Sequence, residues 1–254
     1  MDNLISLVVL FGAAMIAGII NSVAGGGTLI SFPSLLAFNV PSIPANATNT
    51  AALWPGTLSS AVAYSKDTKL YRDLLVPLLV PSALGGLLGA FALVVTPPEI
   101  FDRIVPFLVL FATLLFAFRD QINRLFNLGN GEESVTALGR VWGFLFQLFV
   151  ATYGGYFGAG IGILMLGSLS IMGLRDIHRM NGLKTILGTV INVIGFVFFA
   201  LKGLVVWNLA ILMAIGAIIG GYVGARTAKR VKPHYIRAFV IVVGLSVSVW
   251  LFVK

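Results

Sequence analysis

The stretch Asn-Ser-Val-Ala-Gly-Gly-Gly-Thr-Leu at residues 21–29 interrupts the first apolar part of the chain. A related stretch, Gly-Gly-Tyr-Phe-Gly-Ala-Gly-Ile-Gly-Ile-Leu, occupies residues 154–164. Each copy has a glycine break, a short apolar segment, a polar turn and a helix with polar residues at i and i+3, which share one helix face. The chain therefore contains an internal repeat. A single shift of 135 positions matches Gly25 with Gly160, Gly27 with Gly162, Asn46 with Asn181, and Asn49 with Lys184.

The composition is that of a membrane protein. The 254 residues are 58% hydrophobic and only 10% charged, and the mean hydropathy of +1.00 is far above that of a soluble domain. Apolar runs of about 20 residues follow one another. This pattern predicts a polytopic helical membrane protein, whose apolar surface contacts the lipid bilayer. The absence of cysteine excludes disulfides, thiolate metal sites and cysteine nucleophiles. The net charge of +8 lies in loops and indicates membrane orientation, with no nucleic-acid partner.

The first apolar helix, residues 4–23, is interpreted as a true span and not as a cleaved signal, because it lacks a basic leading segment and a small-residue cleavage site. The segment that follows its break, residues 28–38, is about 16 Å long, too short for a hydrocarbon core of about 30 Å. The second short segment is 163–173. The other predicted helices are 45–64, 73–95, 101–118, 140–157, 180–201, 204–225 and a last span to about 253.

The distribution of Lys and Arg predicts the topology. If both short segments cross the membrane, most of these charges fall on the cytoplasmic side, whereas re-entrant segments would divide them about equally. Crossing gives five elements per half, so that the second half is inserted upside down. We therefore predict an all-α integral membrane protein of two inverted repeats, each with a short broken helix. The first repeat is 1–118, a cytoplasmic linker is 119–139 and the second repeat is 140–254.

The glycine breaks are candidate anion sites. A helix that begins directly after a glycine break points unpaired N–H groups at it, and such N-termini attract anions. The alternative is that the glycines only allow close helix packing. The duplication of the break, each time before an undersized helix, favours a site.

Polar residues inside the predicted spans are the other candidates. Lys184 is the one Lys or Arg well inside a span, which makes it a functional candidate; the alternative is snorkelling to the surface. Asn46 and Asn181 are either helix caps or ligand donors. The candidate substrate-binding residues are Asn21, Gly25, Gly26, Gly27, Thr28, Asn46, Thr48, Asn49, Tyr153, Gly160, Gly162, Asn181, Lys184 and Asn192.

No enzyme signature is present in the sequence. The two histidines, His178 and His234, have no metal-ligand spacing, and no hydrolase or phosphate-loop motif occurs. We predict no cofactor and no metal. The carboxylates fall in loops or at the edges of spans, so none is predicted to relay protons or hold Na⁺ at the membrane centre. Export of an anion needs none, since it runs downhill from a negative-inside cell by about 2.3 kcal/mol per charge per 100 mV.

Three stretches carry a resemblance to a known family. Residues 17–33 (Ala-Gly-Ile-Ile-Asn-Ser-Val-Ala-Gly-Gly-Gly-Thr-Leu-Ile-Ser-Phe-Pro), 44–50 (Pro-Ala-Asn-Ala-Thr-Asn-Thr) and 178–184 (His-Arg-Met-Asn-Gly-Leu-Lys) resemble the TauE/SafE family of sulfite exporters. The resemblance implies a bacterial inner-membrane permease for sulfite, for sulfonates such as sulfoacetate, or for related small sulfur-containing anions.

These observations predict a secondary transporter that exports such an anion. The anion would lie between the two breaks, with Lys184 supplying charge, and Asn46, Thr48, Asn49 and Asn181 supplying hydrogen bonds. An anion channel or uniporter on the same architecture is the alternative. A non-transporting scaffold is a third hypothesis, but it has no need of polar residues inside its spans. A homodimer is left open.

Overall fold

The protein is all-helical. A computed structural model describes residues 4–23, 25–63, 72–126, 135–227 and 233–253, and these ranges contain eleven helices and no strand. The prediction of an all-α membrane protein is confirmed. The helices are α1 (Leu4–Val23), α2 (Thr28–Ala37), α3 (Ser42–Ala63), α4 (Arg72–Val95), α5 (Pro98–Ala117), α6 (Arg119–Leu125), α7 (Ala137–Tyr156), α8 (Ile161–Ile171), α9 (Ile177–Leu201), α10 (Trp207–Thr227) and α11 (Pro233–Val253).

Several sequence-based predictions fall outside the described residues. They concern the linker and the two basic loops that the sequence predicts at 66–72 and 226–237. The residues concerned are Lys66, Lys69, the segment 127–134, Lys229, Arg230 and Lys232.

The helices are suited to a multi-pass membrane protein. Within the described ranges, α1, α4, α5, α9 and α10 are long and apolar enough to cross a bilayer. Large apolar side chains such as Val76, Phe107 and Ile211 are exposed on the outside of the bundle, as expected of surfaces that face lipid. α2 and α8, with 10 and 11 residues, are the two short helices that the sequence predicts.

One helix was not predicted. α6 forms where the sequence predicts the beginning of a linker, and its Ile122 packs against the buried core. Phe126, four residues further on, lies close to α8, because a Cβ on Gly167 would be 3.0 Å from its ring. The Phe126 carbonyl accepts hydrogen bonds from Arg175 Nη1 (3.0 Å) and from the Ser170 hydroxyl. The start of the linker therefore docks onto the end of α8.

The contacts between helices follow the internal repeat. The repeat relates α1 to α7, α3 to α9 and α4 to α10. α1 and α3 pack against α10, and α7 and α9 pack in the same way against α4. Each half of the chain therefore packs one of its helices against the other half. Contacts of α3 with α9 and of α5 with α11 also join the halves.

Small residues allow the helices of the two halves to approach each other closely. A Cβ on Gly18 of α1 would lie 2.5 Å from the carbonyl oxygen of Ala217 in α10. In the related pair, a Cβ on Gly85 of α4 would lie 2.6 Å from the carbonyl oxygen of Leu148 in α7. Such backbone-to-backbone packing replaces the hydrophobic effect as the source of helix association in lipid.

The two short helices end at opposite ends of α5. The turn after α2 meets the beginning of α5, where Ser42 donates a hydrogen bond to Asp102. The end of α8 meets Phe126, which lies beyond the end of α5. These contacts support the predicted inversion of the second repeat; its orientation in the membrane stays a prediction.

Candidate substrate-binding site

The N–H groups of the first glycine break donate hydrogen bonds to the neighbouring backbone and to Asn21. Gly25 has a φ of +77°, and its N–H donates to the Ile20 carbonyl (3.0 Å), an arrangement typical of a glycine that ends a helix. The Gly27 N–H donates to Asn21 Oδ1 at 2.7 Å. One of the free donors expected at the start of α2 is therefore already used.

In the second break, the side chain that hydrogen-bonds to the backbone of the break is a tyrosine, whereas in the first it is an asparagine. The Gly158 N–H donates to the Tyr153 carbonyl (3.2 Å), and the Tyr153 hydroxyl donates to the Ala159 carbonyl (2.8 Å). Gly160, which directly precedes α8, has a φ of +77°. Its repeat-related residue, Gly25, has the same φ. Both breaks therefore contain a residue in the left-handed conformation that glycine adopts more readily than other residues.

The two breaks touch each other. A Cβ on Gly25 would lie 3.0 Å from the Cα of Gly162. Gly162 lies in the first turn of α8, where the N–H groups have no acceptor within the helix. The structure thus brings the beginning of α8 against the end of α1.

A cavity of about 50 Å³ lies beside this contact. One water needs roughly 10–15 Å³ of such space, so the cavity has room for a small polyatomic ion. Residues of both breaks and of α1, α2, α3, α8 and α9 line it. They are Asn21, Gly25, Thr28, Asn49, Thr50, Leu53, Thr57, Ser60, Phe157, Gly158, Ile161, Gly162, Met165, Lys184, Thr185, Gly188 and Asn192.

Half of the candidate residues from the sequence line this cavity. These are Asn21, Gly25, Thr28, Asn49, Gly162, Lys184 and Asn192. The other candidates are not among the lining residues: Gly26, Gly27, Asn46, Thr48, Tyr153, Gly160 and Asn181.

Lys184 is buried, and its hydrogen-bond partner is an uncharged amide. Its side chain is only 4% exposed, and its Nζ donates to Asn181 Oδ1 at 2.9 Å. In the described parts of the chain, no carboxylate lies within ion-pair distance of Nζ. A buried charge is costly unless it is paired, so an anion in the cavity would complete the surroundings of this ammonium group.

Amide groups are the other donors at the cavity. Asn49 accepts a hydrogen bond from the Ser31 hydroxyl (2.5 Å), while its Nδ2 has only a long contact to Thr28 Oγ1 (3.4 Å). The amide nitrogens of Asn21 and Asn192 donate to no other group in the described chain. Each amide nitrogen carries two donors, so these side chains can serve an anion without losing an existing strong bond.

Asn46 and Thr48 instead join α3 to the second half of the chain. Asn46 Nδ2 donates to the Tyr156 carbonyl (2.8 Å) at the end of α7, and Thr48 Oγ1 accepts from the Val206 N–H (2.9 Å). Asn46 Oδ1 is buried and has no partner in the described chain.

Three of the candidate glycines serve packing. A Cβ on Gly26 would overlap the Phe116 ring, and one on Gly27 would overlap the backbone of Ala17. A Cβ on Gly160 would lie 3.3 Å from Leu115. The alternative considered for the glycines, close packing, therefore describes these positions.

Sequence reasoning missed several lining residues of α3 and α9. They include Thr50, Leu53, Thr57, Thr185 and Gly188. The same shift of 135 positions pairs Thr50 with Thr185, Leu53 with Gly188, and Thr57 with Asn192, which was already a candidate. Extending the shift beyond the Asn49–Lys184 pair would have found them. The cavity is thus lined by equivalent faces of the two repeats.

The model of the family described as "Sulfite exporter TauE/SafE" matches residues 10–251 of the chain. The chain belongs to the TauE/SafE family. The resemblance seen in the three sequence stretches is confirmed over nearly the whole chain.

Relatives of this TauE/SafE protein are named as transporters. The probable membrane transporter protein ORF9 of Sinorhizobium sp. is 29% identical over 248 residues, which cover 96% of this chain and 91% of the relative. A probable membrane transporter protein of Haemophilus influenzae is 27% identical over 244 residues, covering 95% and 92%. YfcA of Escherichia coli K12, also named a probable membrane transporter protein, is 26% identical over 245 residues, covering 94% and 87%. No solved structure matches the chain significantly.

Proposed function

We propose that this TauE/SafE protein is a secondary transporter that exports a small sulfur-containing anion, sulfite or a related sulfonate, across the bacterial inner membrane. The observation that carries the proposal is the Lys184 ammonium group, which is buried at the cavity with an uncharged partner, Asn181. The family description as a sulfite exporter supports the choice of anion.

The cavity offers an oxyanion the groups that it needs. Lys184 supplies the charge, and a hydrogen bond that involves a charged group is short and strong. The amides of Asn21, Asn49 and Asn192 supply uncharged donors around it. The N–H groups at the start of α8 add a positive helix end, which favours an anion.

The direction of export follows from the charge of the substrate. The buried polar residues of the described chain include no Asp or Glu, so no buried carboxylate in those ranges offers a site for a coupling proton or Na⁺. An anion that leaves a negative-inside cell gains about 2.3 kcal/mol per charge per 100 mV. The membrane potential alone can therefore drive export.

Substitution of Lys184 tests the proposal. We expect Lys184→Gln to weaken sulfite binding by about ten- to a hundredfold, because a hydrogen bond to a charged group contributes roughly 1.5–3 kcal/mol. Lys184→Arg should keep part of the affinity, since the charge remains but its geometry changes. The matched control is Lys202→Gln, because Lys202 lies exposed on the turn before α10. Affinity is measured on purified protein by calorimetry; unchanged binding by Lys184→Gln would remove this residue from the site.

Flux measurements distinguish the transporter from an anion channel. In proteoliposomes, a secondary transporter gives sulfite flux that saturates and that is stimulated by anion on the opposite side. Flux that does not saturate and shows no countertransport would favour the channel.

A further inference from the structure

The cavity reaches toward the end of the bundle that is predicted to face the cytoplasm. Its lining residues on α3 run from Asn49 to Ser60, about three turns further along that helix. The basic loop at 66–72 follows α3 in the sequence, and its charges predict a cytoplasmic position. Toward the beginning of α3, Asn46 and Thr48 bond to the second half of the chain and do not line the cavity. An anion bound for export would therefore enter past the end of α3.

The last turns of α5 pack against both glycine breaks, at the same end of the bundle. The Phe116 ring fills the space that a Cβ on Gly26 would need, and Leu115 lies 3.3 Å from the Cβ position of Gly160. Arg119 is three residues after Phe116 and four after Leu115, a spacing that puts all three on one helix face. The face of α5 that contacts the breaks thus continues into a positive charge.

The helical winding continues from α5 into α6, so this spacing applies to Arg119, the first residue of α6. The Phe118 N–H donates to the Leu114 carbonyl (2.8 Å), and the Ile122 N–H donates to the Phe118 carbonyl (2.9 Å). Ile122, three residues after Arg119, packs against the buried core. The side chain of Arg119 is half-buried and is not part of the cavity lining.

The charge of Arg119 acts on Lys184. The guanidinium group is close enough to the Lys184 ammonium group for the two charges to interact electrostatically. Like charges repel each other, and an anion beside them is attracted by both. Lys184 is 4% exposed, so the half-buried Arg119 offers solvent easier access to positive charge near the cavity than Lys184 itself does.

Two other arginines at this end have structural contacts. Arg175 Nη1 donates to the carbonyls of Phe126 (3.0 Å) and Ser170 (3.2 Å), which joins the start of the linker to the end of α8. Arg179 Nε forms an ion pair with Asp176 Oδ2 (3.0 Å). These contacts explain both residues without reference to the cavity.

We infer that Arg119 captures the anion from the cytoplasm and passes it to Lys184, so that transport uses a partly exposed cation and then a buried one. This inference rests on the proposed function. Water and salt screen a partly exposed charge, so Arg119 holds the anion weakly. Its main effect is on the rate of capture, because a positive charge beside a cleft raises the local concentration of anions. Lys184, in its buried position, determines the affinity.

Substitution of Arg119 by glutamine tests the inference. We expect Arg119→Gln to lower kcat/KM for sulfite flux in proteoliposomes by roughly tenfold, with kcat close to that of the wild type. The affinity of the purified protein, measured by calorimetry, should change by less than about threefold, because a partly exposed charge contributes little to binding. Raising the ionic strength should lower kcat/KM of the wild type more steeply than that of Arg119→Gln.

The matched control is Arg124→Gln. It removes the same charge from the same helix at an exposed position, five residues along and about 140° around α6. We expect its kcat/KM to equal that of the wild type. Arg119→Lys should keep most of kcat/KM, since the charge remains. Equal losses in Arg119→Gln and Arg119→Lys would indicate a structural role of the guanidinium group and would overturn the inference.

A chemical rescue tests the charge independently of the glutamine variant. The chain has no cysteine, so the thiol of Arg119→Cys can be alkylated selectively. Bromoethylamine adds an ammonium group and should restore kcat/KM, whereas iodoacetamide adds a neutral amide and should not. Equal flux after both treatments would contradict a role for the charge.

The remaining outcomes separate this inference from the proposed function. If the wild type transports sulfite and folded Arg119→Gln has the wild-type kcat/KM, the inference fails and the proposed function stands. A loss of affinity in Arg119→Gln as large as that in Lys184→Gln would make Arg119 a ligand of the bound anion and would overturn its role in capture. If the wild type neither binds nor transports sulfite, both fail.

Discussion

Gly25 and Gly162 belong to different halves of the chain, and their backbones are in contact: a Cβ on Gly25 would lie 3.0 Å from the Cα of Gly162. The contact joins the end of α1 to the first turn of α8, and both residues line the cavity that contains Lys184. The geometry of the cavity therefore depends on a place where Gly25 has no room for a side chain.

The first prediction concerns Gly25. Gly25→Ala places a Cβ on a left-handed residue, which costs about 1–2 kcal/mol, and also presses it against Gly162. We expect a lower melting temperature and weaker anion binding. The control is Gly12→Ala, because Gly12 has no atom within 4 Å of its Cβ position and no positive φ. A Gly25→Ala protein with wild-type melting temperature and affinity would refute the importance of this contact.

The second prediction concerns Gly188, which lines the cavity and has open space at its Cβ position. Gly188→Val should fill part of the cavity and weaken anion binding by at least about tenfold, while the melting temperature stays close to that of the wild type. Gly12→Val is the matched control, since it adds the same side chain to an open helical position outside the cavity. Wild-type affinity of Gly188→Val in a thermal-shift titration would show that the anion binds elsewhere.

The third prediction separates Thr48 from the site. Thr48→Val keeps the shape of the side chain but removes the acceptor for the N–H of the half-buried Val206. We expect the protein to lose roughly 1–3 kcal/mol of stability and to keep its affinity for the anion. Thr227→Val, whose hydroxyl donates only to its own helix, should change stability little. A loss of affinity without a loss of stability would return Thr48 to the candidate substrate-binding residues.

The fourth prediction concerns topology. The natural chain has no cysteine, so single cysteines can be labelled without a background. We expect Arg124→Cys, beyond the end of α5, to react only from the cytoplasmic side. Glu99→Cys, at the beginning of α5, and Lys202→Cys should react only from outside. Labelling of Arg124→Cys and Lys202→Cys from the same side would refute the inverted arrangement.

The sequence predicts the fold well because its strongest signals are local. The glycines at 25 and 160 require a special backbone conformation, and the short apolar segments after them are directly visible. The helix α6 was missed because its seven residues are mostly polar, and it is explained by tertiary contacts, namely Ile122 against the core and its contact with α8.

The candidate site was predicted less completely, because lining a cavity depends on helix rotation and on partners from the other half. Asn49, Leu53 and Thr57 follow one another at intervals of four residues and share a face of α3. Thr48 is next to Asn49 in sequence but lies about 100° around the helix, where it meets Val206. Polarity inside a span identified both residues but could not distinguish a cavity-lining group from one that joins two helices.

The packing of α1 against α10 has a consequence for biosynthesis. α1 emerges from the ribosome long before its partner, α10, which begins only at Trp207 and whose glycines pack against α1. During most of translation α1 is therefore in the membrane before the helix that it packs against has been made. The same is true of α4 and its partner α7. Neither half can therefore complete its own packing alone, and we expect a chain truncated before α10 to be recognised by membrane quality control as an orphan and degraded.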